Sequence, residues 1–340
     1  NMEYKYIGNS GLRVSSLGLG SMTFGSNASK KEAFKILEKA YENGVNFIDT
    51  AEMYPSPISE DTVGISEKWV GEWLKTKSRD SIILATKVTG AANGWFVPPI
   101  RNGLTALDSF HIKTAVEGSL KRLKTDYIDL YQTHWPDTLI PIEETLKALD
   151  DLVCEGKIRY IGTSNDSCYG LTKANEVSKN LKISRFQSIQ NNFSLNNPRF
   201  LDELSTVCEK EKISLLAYSP MAGGVLSGKY NNEKKPDEAR YTRHFQSKCK
   251  REREMASRFV NKKTLKATEK YTELAKSIGV STASLSLAWV MSFEFVASTL
   301  TSARSSAQLE DSLKSLSVKL DDNILLKIEQ IQKEIMYPMG

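Results

Sequence analysis

Leu146-Lys-Ala-Leu-Asp-Asp-Leu-Val-Cys-Glu-Gly156-Lys-Ile-Arg-Tyr-Ile-Gly162 changes its periodicity once, at the first glycine. Ahead of Gly156, Leu146, Leu149 and Val153 recur three and four residues apart, which places them on one face of a helix. Glu155-Gly156 is a helix stop, because glycine enters the left-handed conformation after a helix without a Cβ clash. Behind it, Ile158-Arg159-Tyr160-Ile161-Gly162 is a short apolar run suited to a buried parallel strand. A helix that feeds a strand across so few residues is the second half of a βαβ unit.

The same grammar repeats along the chain. Apolar runs at 17–20, 45–48, 82–85, 127–131, 186–189, 213–217 and 295–298 join the run above to make eight. Helical spacing recurs at Ala33/Leu37/Ala40, Ile112/Val116/Leu120/Leu123 and Leu309/Leu313/Leu316, with a second stop at Asn43-Gly44. Eight alternating strand–helix units predict an α/β fold, a single (β/α)8 TIM barrel. Residues 4–7 and 13–15 around the turn Gly8-Asn9-Ser10-Gly11 read as an N-terminal β-hairpin, with an extra helix expected over 278–293 and a terminal one over 321–336. No linker or compositional break divides residues 1–340, so one domain is expected. The irregular segments 88–107 and 229–260 exceed ordinary connection lengths and are expected to be functional loops or disorder. Both follow strands, which puts them on the face where barrels carry their sites.

Composition removes other classes. With 40% hydrophobic and 9% aromatic residues, the chain is neither disordered nor fibrous. No run approaches the ~20 apolar residues that span a bilayer, and Asn-Met-Glu-Tyr-Lys-Tyr at the start has no signal-peptide core. A soluble cytoplasmic protein without a membrane partner is the expectation. The four cysteines are scattered and most of them are expected to be small apolar fillers, and His111, His134 and His244 are too dispersed for a zinc site. No metal is expected, and oligomeric state leaves no mark in the sequence.

The net charge of +5 is local. Residues 229–263 hold twelve Lys/Arg against five acids, which is +7 and leaves the remainder near −2. A nucleic-acid surface would spread its cations and interleave aromatics, so the excess points to a small anion instead. Two nucleotide motifs nearly match. Gly18-Leu-Gly-Ser-Met-Thr23 starts like a dinucleotide fingerprint but ends in Thr23 with no helix following, which rejects a Rossmann domain. Gly223-Gly-Val-Leu-Ser-Gly-Lys229 fits the P-loop spacing, but Tyr230 replaces the magnesium-binding hydroxyl and Pro236 spoils the helix start. What survives is a glycine cradle beside a lysine, a sound phosphate site.

At a barrel's mouth the residues at the strand ends converge: Asp49 after the second strand, Lys87 after the third and His134 after the fourth. Ser164-Asn165, Gln190-Asn191 and Tyr218-Ser219 follow the next three, and Tyr54 lies five residues past Asp49. Carbonyl reduction suits this set, because an oxygen that gains negative charge as hydride arrives needs a proton. A lysine ammonium beside Tyr54 would stabilise tyrosinate and ease that transfer, Asp49 would keep the lysine charged, and His134 would orient the oxygen. Each has an ordinary explanation when taken alone: a turn cap, a solvated lysine, a tyrosine packed on Pro55 and Pro57, a histidine beside Trp135. Their common position favours chemistry.

The chain resembles the aldo-keto reductase superfamily through ordered blocks from about residue 4 to 318: Leu17-Gly-Leu-Gly-Ser-Met-Thr-Phe-Gly25, Phe47-Ile-Asp-Thr-Ala-Glu-Met-Tyr54, Ala85-Thr-Lys-Val88, Tyr127-Ile-Asp-Leu-Tyr-Gln-Thr-His-Trp-Pro136, Gly156-Lys-Ile-Arg-Tyr-Ile-Gly-Thr-Ser-Asn165 and Leu216-Ala-Tyr-Ser-Pro220. Asp49-Thr-Ala-Glu-Met-Tyr-Pro55 looks like the bacterial Tas-type NADP(H)-dependent reductases, relatives of aryl-alcohol dehydrogenases and potassium-channel beta subunits. The resemblance implies a catalytic tetrad of Asp49, Tyr54, Lys87 and His134 with Tyr54 as proton donor. It implies NADP(H) as cofactor, with Ser21, Met22 and Asp49 lining its site, Ser164, Asn165 and Gln190 on the carboxamide and Tyr218 stacked on the nicotinamide. Ser219, Met221, Gly223, Gly224, Ser227 and Lys229 would line the pyrophosphate, and Ser302, Arg304 and Gln308 would meet the 2′-phosphate and adenine. A guanidinium suits a phosphate dianion, so Arg304 favours NADP over NAD. Ser305-Ser-Ala-Gln308 also reads as a helix capping box, which is compatible with phosphate binding. Two positions depart from the pattern: Thr301-Ser302 replaces a Pro-Gly pair, and Ser312 replaces an adenine-contacting Asn. The expected function is NADPH-dependent reduction of aldehydes or ketones, hydrophobic or aromatic ones if Trp95, Phe96 and Val97 wall the pocket. The alternative is an NADP(H)-binding sensor of the channel-beta-subunit type.

Overall fold

The computed structural model describes residues 1–92 and 100–339, so Trp95, Phe96 and Val97 lie outside the described residues. Strands β1 (Tyr4–Tyr6) and β2 (Arg13–Ser15) pair as the expected antiparallel hairpin. Eight parallel strands then close into a barrel: β3 (Leu17–Gly20), β4 (Phe47–Asp49), β5 (Ile83–Val88), β6 (Ile128–Thr133), β7 (Ile158–Ser164), β8 (Phe186–Asn192), β9 (Ser214–Tyr218) and β10 (Val296–Thr301). Sequential neighbours pair throughout, and β10 closes the ring on β3 with Thr299 opposite Leu17. The TIM barrel expected from the alternation is therefore present.

Several strands outrun the apolar runs that announced them. Lys87 pairs with Gln132, Ser164 with Gln190 and Asn192 with Tyr218, so these polar residues are rungs of the ladder rather than residues beyond it. The backbone pairs regardless of side-chain polarity, and their side chains form the polar end of the barrel.

Helices α1 (Lys30–Glu42), α2 (Ile65–Leu74), α3 (Ser109–Leu123), α4 (Ile142–Cys154), α5 (Cys168–Leu181) and α6 (Leu204–Glu211) follow β3 to β8 in turn. Gly44 and Gly156 sit at φ +87° and +75°, as the helix stops require. The outer core lies between these helices and the barrel, with Ile36, Val70, Val116, Leu149 and Ala174 facing Leu19, Leu84 and Ile189. A second cluster plugs the barrel's N-terminal end. Ile7, Leu12 and Val14 of the hairpin meet Phe47, Ala85, Leu130 and Leu216. The hairpin turn is bonded to the strand starts below: Gly8 N donates to Ser214 Oγ (2.8 Å) and Asn9 N to Gln187 Oε1 (2.9 Å). The polar strand ends lie at the opposite end.

The expectation of an irregular 229–260 segment is overturned. It contains α7 (Arg240–Phe245) and α8 (Lys250–Phe259), and α9 (Lys262–Ser277) follows directly. Dense charge hid α7 and α8, since apolar residues such as Tyr241, Ala256 and Phe259 are too few to show a period yet are buried. For α9 a start signal was present: Asn261 accepts from Thr264 N while Thr264 Oγ1 accepts from Asn261 N, a reciprocal capping box. α10 (Thr282–Met291) is shorter than the expected 278–293, and α11 (Ser306–Lys314) and α12 (Asp322–Glu334) complete the chain. Among the described residues no single helix is long and apolar enough to cross a membrane. Of the cysteines, Cys208 is the buried filler expected, whereas Cys154 and Cys249 are exposed and Cys168 is half-buried.

Candidate active site

Asp49 ends β4, Lys87 lies near the end of β5 and His134 follows β6, so three adjacent strands aim three polar side chains at one place. The connection after Asp49 brings Tyr54 to them. Lys87 Nζ donates to Asp49 Oδ2 (2.5 Å), to the Thr50 carbonyl (2.8 Å) and to the Tyr54 hydroxyl (3.4 Å). Lys87 and Asp49 are buried, and the Tyr54 and His134 rings meet edge-on with centroids 5.6 Å apart.

Protonation follows from surroundings. Burial opposes the ammonium of Lys87, yet Asp49 and then Tyr54 hold its pKa above the ordinary lysine value. Burial pushes His134 well below the usual imidazole range and Lys87 adds to it, so His134 is neutral near pH 7. Tyr54 departs from the expectation. Lys87 does pull its pKa down, but burial, reinforced by Asp49, outweighs it and the net shift is upward. The hydroxyl therefore keeps its proton and has a cation beside it to receive the charge once that proton leaves.

Gln132 carries a role that sequence reasoning missed. Its Nε2 donates to Asp49 Oδ1 (3.0 Å), and Gln190 Nε2 donates to the same oxygen (3.0 Å) and to Gln132 Oε1 (2.9 Å). With Lys87 on the other oxygen, the Asp49 carboxylate is held at both ends. The signal was a polar residue two positions after Leu130, on the same face of the strand.

Around this centre the remaining candidates fall into three groups. Ser164 Oγ donates to the Gln190 carbonyl (2.7 Å), Asn165 Nδ2 to the His134 carbonyl (2.9 Å) and Tyr218 Oη to Asn165 Oδ1 (2.5 Å). Asn165 and Ser219 both have positive φ, +54° and +52°, a backbone strain that collects where side chains are aimed. On the β3 side, Ser21 is buried with no partner for its hydroxyl among the described residues, and Met22 is half-buried.

The third group is cationic. Residues Ala222–Ser227 form a tight turn in which Gly223 and Gly224 adopt φ +64° and +94°, Ser227 Oγ donates to the Gly224 carbonyl (2.7 Å) and Lys229 Nζ lies against Gly224. Met221 caps the turn's start, its carbonyl accepting from Gly224 N (3.0 Å). Burial and then Arg304 and Arg240 depress Lys229, while burial, Arg243 and Arg240 depress Arg304. Four cations thus stand close enough to repel one another. At the start of α11, Ser305 caps Gln308 N (3.4 Å), but Gln308 Oε1 accepts from Arg304 N (2.8 Å) rather than from the cap residue, so only half of the expected capping box forms. Ser302 is exposed, and the two departing positions are partners: Thr301 Oγ1 and Ser312 Oγ lie 2.9 Å apart, both buried.

Beside Tyr54 the described residues supply an apolar wall of their own. Ala51, Met53 and Ala92 cluster with Ile58 and Trp135, and the Trp135 ring leans on His134 with centroids 5.1 Å apart.

Comparison with known proteins matches residues 16–333 to the aldo/keto reductase family. The chain belongs to the aldo/keto reductase family. It is 38% identical to protein Tas of Escherichia coli over 99% of both chains. It is also 32% identical to a probable voltage-gated potassium channel subunit beta of Oryza sativa, over 97% of this chain and 96% of that one. Norsolorinic acid reductase stcV of Emericella nidulans is 30% identical over 97% of this chain and 81% of that one. As a member of the aldo/keto reductase family, the chain is an oxidoreductase by kinship, and the resemblance seen in its sequence holds.

Proposed function

We propose that this protein reduces aldehydes and ketones to alcohols with NADPH, and that Asp49, Tyr54, Lys87 and His134 carry the chemistry. The observation behind this reading is that one buried ammonium, Lys87, bonds both Asp49 and the Tyr54 hydroxyl beside a neutral imidazole. A protonated phenol and a neutral histidine can both donate to a carbonyl oxygen, whereas tyrosinate could not. Tyr54 gives its proton to the developing alkoxide, Lys87 takes up the phenolate charge, and Asp49, clamped by Gln132 and Gln190, keeps Lys87 in place. Acid catalysis of this kind contributes ~10²–10⁴ in rate.

NADP(H) fits the residues present. A Cβ on Gly223 would come within 2.0 Å of the Tyr241 hydroxyl, so only glycine lets the turn pack against Tyr241 in its left-handed conformation. Lys229, Arg304, Arg240 and Arg243 crowd like charges that a phosphate would relieve. In this reading Ser219, Met221, Gly223, Gly224, Ser227 and Lys229 hold the pyrophosphate, Arg304 with Ser302 and Gln308 the 2′-phosphate end, and Ser164, Asn165, Gln190 and Tyr218 the nicotinamide, with Ser21 and Met22 on the β3 side. A nicotinamide held there would supply the hydride. The wall of Met53, Ala92 and Trp135 suits hydrophobic or aromatic carbonyls.

NADPH consumption with a panel of aromatic aldehydes tests this. Turnover is expected, and Tyr54→Phe is expected to lower kcat by at least ~10² while leaving NADPH affinity within about threefold. No turnover above background, or an unchanged Tyr54→Phe, refutes it. Relatives named as potassium channel beta subunits motivate a second reading, a cofactor-holding sensor, which tight NADPH binding with negligible turnover would establish.

A further inference from the structure

Glu52 and His111 are buried side by side, and the roles proposed above use neither. Glu52 lies between Asp49 and Tyr54, and its Oε1 accepts from Thr89 N (2.8 Å) just past β5. The same oxygen stands 3.4 Å from Nε2 of His111, the third residue of α3. His111 turns its other nitrogen, Nδ1, to the Ala106 carbonyl at 2.7 Å. With Glu52 ionised, its carboxylate and the Ala106 carbonyl only accept, so the imidazolium satisfies both contacts and neither neutral tautomer does. Burial opposes charge on both groups, yet each partner overrides it, raising the pKa of His111 and lowering that of Glu52.

The pair sits where two chain segments part and meet again. Thr105 Oγ1 donates to the Gly90 carbonyl (2.6 Å) and Trp135 Nε1 to the Ala91 carbonyl (2.6 Å). Gly90 lies so close to Trp135 that a Cβ there would fall 2.4 Å from the Trp135 carbonyl. Ala92 and Trp135, held this way, are the apolar wall packed on Met53 and Tyr54. The pair's other charged neighbours are Asp108, which accepts from His111 N (3.1 Å) and is itself paired with Arg101, and the Glu67–Arg122 ion pair with the Tyr131 hydroxyl on the Glu52 side.

We propose that Glu52 and a doubly protonated His111 are a positioning pair that ties the exit of β5 to the start of α3 and so holds the Ala92–Trp135 wall against Tyr54. Loss of the His111 proton then weakens binding of the carbonyl substrate without touching the proton donor. The kinetic half of this proposal rests on the reductase reading.

Proton NMR of the whole protein follows its three imidazoles, assigned with His134→Asn and His244→Asn. His111 is expected to titrate above the ordinary ~6.5. A midpoint at or below that value overturns the pair. In steady-state reduction of an aromatic aldehyde, His111→Gln and Glu52→Gln should each raise KM about 5–10-fold with kcat within about twofold. KM of the unsubstituted protein is expected to rise with pH, and that rise should vanish in His111→Gln. An unchanged KM and pH profile in His111→Gln overturns the positioning role. If neither variant folds, the NMR midpoint and the pH dependence of KM in the unsubstituted protein decide. An inactive unsubstituted protein would refute the reductase reading, and the NMR titration would still judge the pair.

Discussion

Asp49 shows how much one carboxylate depends on neighbours from distant strands. Lys87 holds one oxygen, and Gln132 and Gln190 hold the other. Gln132→Leu keeps most of the volume but leaves Oδ1 with one amide donor, so Asp49 and with it Lys87 lose definition. We expect kcat/KM to fall about tenfold, equivalent to ~1.4 kcal/mol of transition-state stabilisation, measured in the same assay as Tyr54→Phe. His134 permits a pH prediction. Its folded pKa is depressed, so the unfolded chain takes up that proton first as pH falls below ~6.5. The stability tied to neutral His134 is therefore present above ~6.5 and lost below it, and His134→Gln should shrink the drop in unfolding free energy between pH 7 and 5. Chemical denaturation at the two pH values measures it, and an equal drop in the variant would contradict the shift. Which residues meet at the mouth was legible from the order of strand ends. The balance at Tyr54 was not, because burial and the Lys87 charge push its pKa in opposite directions and only a packed environment says which prevails.

At the scale of elements, the turn Ala222–Ser227 and the helices α7 and α8 behind it make the cationic side of the mouth. Gly223→Ala must both adopt φ +64° and displace the Tyr241 hydroxyl. The left-handed backbone alone costs about 1 kcal/mol, and the turn's amides would shift as Tyr241 gives way. NADPH affinity, followed by nicotinamide fluorescence, is expected to fall at least tenfold, about 1.4 kcal/mol, with the unfolding midpoint only a few degrees lower. Unchanged affinity would remove this turn from the phosphate site. The glycines and Lys229 stood out in the sequence as a phosphate cradle. The two helices did not, since twelve cations in 35 residues read as a solvated loop until Tyr241, Ala256 and Phe259 are found buried beneath them.

The whole molecule separates an apolar plug from a polar, titratable mouth along the barrel axis. The hairpin closes the N-terminal end with Ile7, Leu12 and Val14, and the titrating groups gather at the other. Ile7→Ala should therefore destabilise the fold by about 2–5 kcal/mol, the range for emptying a filled core site, while NADPH affinity stays the same. Denaturant unfolding and the fluorescence titration together check this, and a parallel loss of affinity would mean that the two ends are coupled. Periodicity and glycine stops were enough to reach the barrel, because strand and helix spacing, stop residues and the count of eight are local properties written residue by residue. The reach of each strand, the two charged helices, the Gln132 clamp and the Glu52–His111 pair belong to the folded state. Each depends on groups dozens of residues apart sharing one dry environment, where burial and a neighbour's charge together set what is protonated and what is held.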